Sequence, residues 1–259
     1  MLTHILRLRR PEGQKSRCRW EPTRLNQDSV QQVLERADEL YAAREDLGNV
    51  RACVELLRHT LGELDTFELA WRLGRAFFLL GQEEREAATS RALHAHGVDA
   101  GKRAVRAGPE RVEGHFWLGV NLALLARVAQ PLKAITHALQ AKRALNRAVT
   151  IDPAYHAAGP LRALARLQHK APRWLGGDTA AARENYERAI DIAANNTVTR
   201  IYFAELLLEI GETVRGRSEL EAVLNAPFDP AWAFEIERDR KIARELLENR
   251  SKKITEQML

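Results

Sequence analysis

Histidine is the side chain best able to move a proton or hold a metal near neutral pH, and this chain has eight. None stands in a recognised catalytic or metal-binding spacing. His94 and His96 are two residues apart. On a helix that step turns them about 200° away from each other, so only a loop or kink would let them share a metal, and surface histidines are the plainer reading. The chain has no His-Glu-x-x-His, no Cys-x-x-Cys, no Gly-x-Ser-x-Gly and no Gly-x-x-x-x-Gly-Lys-Ser/Thr. Gly176-Gly177-Asp178 lacks the lysine and the preceding strand of a phosphate loop. Carboxylate neighbours such as Glu83 and Glu84 lie in charged runs that solvation explains. Cys18 and Cys53 make no disulfide framework. The expectation is a non-enzymatic protein with no catalytic residue, metal or cofactor, acting by binding.

Charge narrows what is bound. Of a net charge of +5, all of it resides in residues 1–24, with seven basic side chains against Glu12 and Glu21. The other 235 residues hold 33 basic and 33 acidic groups and offer phosphate no bulk attraction, so nucleic acid is not an expected partner. The longest apolar window, Phe116 to Ala126, holds Asn121 and is far short of the ~18 residues of a membrane span. The leader's apolar stretch, Leu2 to Leu8, is broken by His4 and Arg7, and Cys18 follows no apolar segment, so neither an export signal nor a lipidated cysteine is indicated. These features predict a cytoplasmic location, or a periplasmic one if the true start lies upstream and encodes a signal. Residues 1–27 are expected to be a basic disordered arm, 28–250 a single helical-repeat domain and 251–259 a disordered tail.

The elements that must position a binding surface are helical. Ala, Leu, Arg and Glu dominate, while Val, Ile and Thr are sparse. Ser29 and Gln32 have the spacing of a capping box, and Val30, Val33, Leu34, Ala37, Leu40 and Tyr41 then trace one apolar helix face. A signature follows and returns: Trp71, Leu73, Gly74, Phe77, Gly81; then Phe116, Leu118, Gly119, Leu122; then Arg200, Phe203, Ala204, Leu207, Gly211. The small residue admits a partner helix closely, and the glycine that ends the helix accepts a left-handed conformation. The small residues Ala37, Gly74, Gly119, Gly159 and Ala204 are spaced 37, 45, 40 and 45 apart, against about 34 for a tetratricopeptide (TPR) repeat. The extra residues lengthen second helices such as Glu83 to Ala107, where Gly97 offers a kink. The predicted fold is all-α: a right-handed α-α superhelix of about five long, divergent TPR-like pairs, with a C-terminal helix, Ala231 to Glu248, capping the open end.

Such a stack presents a concave face built of first helices. By register its lining includes Trp71, Arg75 and Phe78, then Phe116, Val120 and Asn121, then Arg200, Ile201, Glu205 and Leu208; each also has a plain reading as a core residue. Asn121, the one polar side chain in its window, needs a partner if buried. Arg200 and Glu205 could pair with it, with each other, or face a ligand. Three stretches go further: His115-Phe116-Trp117-Leu118-Gly119; Gly159-Pro160-Leu161-Arg162; and Pro172 through Trp174 to Gly176-Gly177-Asp178, with Tyr186-Glu187-Arg188-Ala189-Ile190. Together, over about residues 65 to 230, they resemble the T-component of TRAP transporters, helical-repeat proteins that accompany solute-binding proteins. The resemblance implies a binding protein that self-associates, carries an apolar small molecule in a channel and docks a solute-binding partner. A cytoplasmic scaffold gripping a peptide or helix of another protein is the alternative. An enclosed apolar lining marks the first reading, and an open groove rich in Asn, Arg and Lys marks the second.

Overall fold

The computed structural model describes residues 27–257. Eleven helices carry them: α1 (Gln27–Ala42), α2 (Leu47–Glu63), α3 (Phe67–Glu83), α4 (Ala87–Ala107), α5 (Val112–Val128), α6 (Pro131–Ile151), α7 (Tyr155–Lys170), α8 (Thr179–Ile192), α9 (Thr197–Glu209), α10 (Thr213–Leu224) and α11 (Ala233–Gln257). The expected basic arm lies outside the described residues, Gln27 excepted. Short connections force consecutive helices to pack antiparallel. Five pairs result, α1/α2 through α9/α10, and α3 and α7 also touch the next first helices, α5 and α9, so the first helices line one side of a TPR-like superhelix.

Several boundaries follow from capping chemistry. Asp46, Thr66, Asp178 and Asn196 each accept a backbone N–H in the first turn of α2, α3, α8 and α9. Asp178 does so at 3.0 Å to both Ala180 and Ala181, after the turn made by Gly176 (φ 87°) and Gly177. Gly211 ends the helical run of α9 with φ 89°, in the left-handed region where glycine carries no Cβ penalty. Ser29 behaves differently: α1 already begins at Gln27, so Ser29 sits inside the first turn rather than ahead of it.

Close helix approach, not chain reversal, explains the other glycines. Gly81 lies inside α3, and a Cβ there would meet the His94 ring at 2.6 Å. Gly97 neither kinks α4 nor lies in a helix beginning at Glu83, since α4 starts at Ala87; it makes room for the Asn121 side chain. His94 is therefore no surface residue. It is 2% exposed, with Nδ1 3.2 Å from Asn121 Oδ1. Asn121 in turn donates to the carbonyls of Gly74 (3.0 Å) and Trp117 (2.8 Å), tying α3, α4 and α5 together.

The last helix does more than cap. It runs to Gln257, past the expected end at Glu248. It packs on α9 and α10, and its N-terminal end also returns to the first repeats: Arg44 forms a two-pronged pair with Glu235 (3.1 and 2.7 Å) and donates to Ala231 O at 2.6 Å. Arg238 reaches Glu83 at 3.5 Å. These ion pairs act together with Phe234, packed against the core of the first repeats, and Trp232, against the His156 ring, and the one-dimensional repeat pattern contains none of these contacts.

The glycine contacts yield a paired prediction. Gly97→Ala forces Asn121 out of its hydrogen bonds and should destabilise the protein by about 2–4 kcal/mol. Gly62→Ala, exposed in α2 with nothing within 4 Å of the new methyl, should stabilise it by about 0.5–1 kcal/mol. Urea unfolding midpoints of the two variants should move in opposite directions.

Candidate functional site

The first helices, α6 and the N-terminal end of α11 border a half-open cavity of about 800 Å³. One wall, from α3, α5 and α6, presents Phe78, Leu79, Phe116, Val120, Leu124, Ile135 and Ala138 and is apolar apart from Gln82 and Arg127. The other, from α7, α9 and α11, carries His156, Arg162, Arg166, Lys170, Tyr202, Glu235 and Arg238. Trp174, on the turn after α7, stands at the cavity with 73% of its surface exposed.

An unusual backbone places the polar wall. His156, Ala157 and Ala158 all adopt left-handed angles (φ 52°, 53° and 57°) before the chain resumes a right-handed helix, with Pro160 in its first turn. Each such residue costs ~1–2 kcal/mol outside glycine, so the surroundings must hold the turn. Arg162 Nη1 donates to Ala157 O at 2.9 Å, and the His156 ring is caged by Trp232 (4.9 Å), Trp117 (5.2 Å) and Phe116 (5.7 Å between centroids). Trp117 Nε1 is anchored by the Tyr155 hydroxyl at 3.1 Å. Burial above all, then the fields of Arg162, Arg75 and Arg44, push the pKa of His156 down to about 3, so the ring is neutral at pH 7.

The cations of this wall differ in how they are partnered. Arg166 pairs with Glu205 at 2.6 Å and lies over the Tyr202 ring at 4.2 Å. Lys170 pairs with Glu209, and Arg238 with Asp239 and Glu83. Arg162 has no carboxylate partner among the described residues, although it is only 7% exposed. Its three hydrogen bonds among the described residues all leave from Nη1, to Ala157 O, Asn196 Oδ1 (3.2 Å) and Thr199 Oγ1 (3.4 Å).

Of the residues singled out by register, Phe78, Phe116 and Val120 line the cavity. The others lie elsewhere. Trp71 packs in the core beneath Arg72 and bonds Glu68; Arg75 pairs with Asp38 and covers the Tyr41 ring at 3.9 Å. Asn121 is fully buried in the α3–α4–α5 contact, and its partners are His94 and two carbonyls, not Arg200 or Glu205. Arg200 pairs with Glu219, and Leu208 is a core residue packed with Leu220. Ile201 and Glu205 border a smaller neighbouring pocket. Register misses His156, Trp232 and the whole contribution of α11, and it passes over Arg162 although that residue closes the Gly159–Arg162 motif.

With this geometry in view, comparison with known proteins is decisive for family. The model of the TRAP transporter T-component family matches residues 69–253, from α3 to α11. The chain belongs to the TRAP transporter T-component family. Membership implies association with transporter components. Among solved structures, this T-component is similar to a thermophilic TPR protein of Thermus thermophilus, at 22% identity over 81% of this chain and 97% of that one, with a TM-score of 0.60. It is also similar to PilF of Pseudomonas aeruginosa, at 15% identity over 85% and 92% of the two chains, with a TM-score of 0.54. Both likenesses concern the fold. No functionally curated protein matches the sequence. Among the described residues of the T-component, no helix is long and apolar enough to cross a membrane.

The neutral, caged His156 makes stability depend on pH with a definite sign. Unfolded, it takes up a proton near pH ~6.5; folded, it refuses one until about pH 3. Its contribution is therefore complete above pH ~6.5 and declines as the pH falls towards 3, by about 2 kcal/mol at pH 5. His94, also lowered chiefly by burial, acts in the same direction. Urea unfolding should show lower stability at pH 5 than at pH 7, and His156→Asn, which tolerates left-handed angles, should reduce that difference.

Proposed function

We propose that this T-component is a non-catalytic carrier that binds an apolar small molecule in the half-open cavity and presents the cavity's rim to a solute-binding partner protein. The observation that carries the reading is the cavity itself. A volume of about 800 Å³ suits a small molecule, and the wall from α3, α5 and α6 offers it little besides hydrocarbon and aromatic surface. A groove for a partner's peptide or helix would be open and polar. Here Trp232, just ahead of α11, and Glu235 and Arg238, at its N-terminal end, already occupy part of the concave side, where a guest helix would rest. The exposed Trp174 gives the rim an aromatic anchor of the kind that dominates protein interfaces.

Native mass spectrometry of gently purified protein tests the reading. The expected spectrum contains a discrete non-covalent adduct of a few hundred daltons, and it reports subunit number as well. Val120→Trp, which fills the cavity from α5, should remove the adduct while leaving the helical circular dichroism intact. A protein that stays bare from every source and with every added amphiphile would overturn the carrier reading.

A further inference from the structure

We infer that Arg162 holds the anionic head of an amphipathic ligand, a carboxylate or phosphate monoester whose hydrocarbon tail lies along the wall from α3, α5 and α6. The inference rests on the carrier reading above and adds to it a ligand class and a residue. A guanidinium is charged at any physiological pH and presents five N–H donors in a planar fork. In the interior such a charge is ordinarily neutralised by a carboxylate, because an unpaired one forfeits its hydration without return. Arg162 is 7% exposed and lies in no ion pair among the described residues. The two acids whose fields reach it are engaged elsewhere, Asp239 with Arg238 at 3.2 Å and Glu235 with Arg44 at 2.7 Å.

Its geometry is that of a held donor. Nη1 is fixed by Ala157 O, by Asn196 Oδ1 at the start of α9 and by Thr199 Oγ1. Nε and Nη2 make no hydrogen bond among the described residues, neither is fully buried, and the residue lines the cavity. The edge left free matches the two oxygens of a carboxylate or phosphate. His156 lines the same cavity, neutral and without a hydrogen bond among the described residues, and can meet a head oxygen with a ring N–H. A neutral ligand leaves the Arg162 charge unanswered, and a cationic one is repelled. The apolar wall opposite demands a tail, so a small hydrophilic anion is excluded as well.

The test compares ligands of one tail length with the delipidated full chain at pH 8, read by the change in tryptophan emission, to which Trp117, Trp174 and Trp232 of the cavity lining contribute. Dodecanoate and dodecyl phosphate are expected to bind at least about tenfold tighter than dodecanol, the increment of a charge-assisted hydrogen bond to a buried cation. Whichever anion binds tighter identifies the head. Arg162→Gln should bring the anions down to the affinity of dodecanol without changing dodecanol itself, and Arg162→Lys should recover part of the preference. Equal binding of dodecanol and both anions to the unaltered protein would overturn the inference while leaving the carrier reading intact, and it needs no variant to fold. Preference for the anions surviving in Arg162→Gln would assign the head to another cation and also overturn it. Failure of every amphiphile to bind would instead remove the carrier reading on which the inference rests.

Discussion

The ion pair of Arg44 with Glu235 ties the last helix back to the first repeat. A repeat stack grows in one dimension, and each unit touches only its neighbours, so its concave face is by nature an open groove. Here two residues separated by 191 positions meet through both carboxylate oxygens, with side chains 11% and 15% exposed. Trp232, immediately ahead of α11, then reaches the His156 ring. An ion pair this sheltered gives back in attraction much of what its desolvation costs, but leaving one partner alone would strand a charge. Its structural consequence exceeds its energy: the concave face acquires a second wall, and the apolar surface of α3, α5 and α6 faces a half-open cavity rather than a flat groove.

A second constraint is how closely the helices approach. At Gly81 and Gly97 the neighbouring side chains occupy the place of a Cβ, and the space so made holds His94 and Asn121. Asn121 uses both its amide hydrogens and its oxygen within that contact, so a polar side chain in the most apolar of the described helices raises no unsatisfied group. Between repeats the polar contacts recur at sequence separations set by the repeat: 34 and 37 for Arg72 and Arg75 with Asp38, 34 for Arg162 with Asn196, and 39 for Arg166 with Glu205. Part of the balanced charge of the body thus links successive pairs.

Against that background, the buried cation of the cavity wall that lies in no ion pair among the described residues is conspicuous. Arg166, Lys170 and Arg238 each find an acid, and their charges are spent within the stack. Arg162 instead braces a left-handed turn through one nitrogen and leaves the rest of its guanidinium towards the cavity. Strain in the backbone at His156–Ala158 and an unneutralised buried charge lie within a few residues of each other, and both lower stability locally. Such features persist where the surrounding structure over-determines them and where function uses them, which is the ground for reading this corner as the ligand's polar contact.

The sequence by itself determined the helical class, the five pairs and the small residues at their contacts, because helix periodicity, caps and glycine punctuation are local properties of neighbouring residues. Asp178 as a cap and Gly211 as a left-handed terminus are legible for the same reason. It also placed Phe78, Phe116 and Val120 on the concave side, since register alone turns them there. What only the tertiary structure decided is whatever depends on a distant partner. Asn121 was legible as a polar residue needing one, but not as the link between His94 and Gly74; His94 looked like a surface residue until two glycines let the helices close over it. The role of Arg162 hangs on which acids are already taken, and that of α11 on a charge 191 residues away. Periodicity carries no record of either, because burial and ion pairing are decided in space, after the repeats have curved and the two ends of the stack have met.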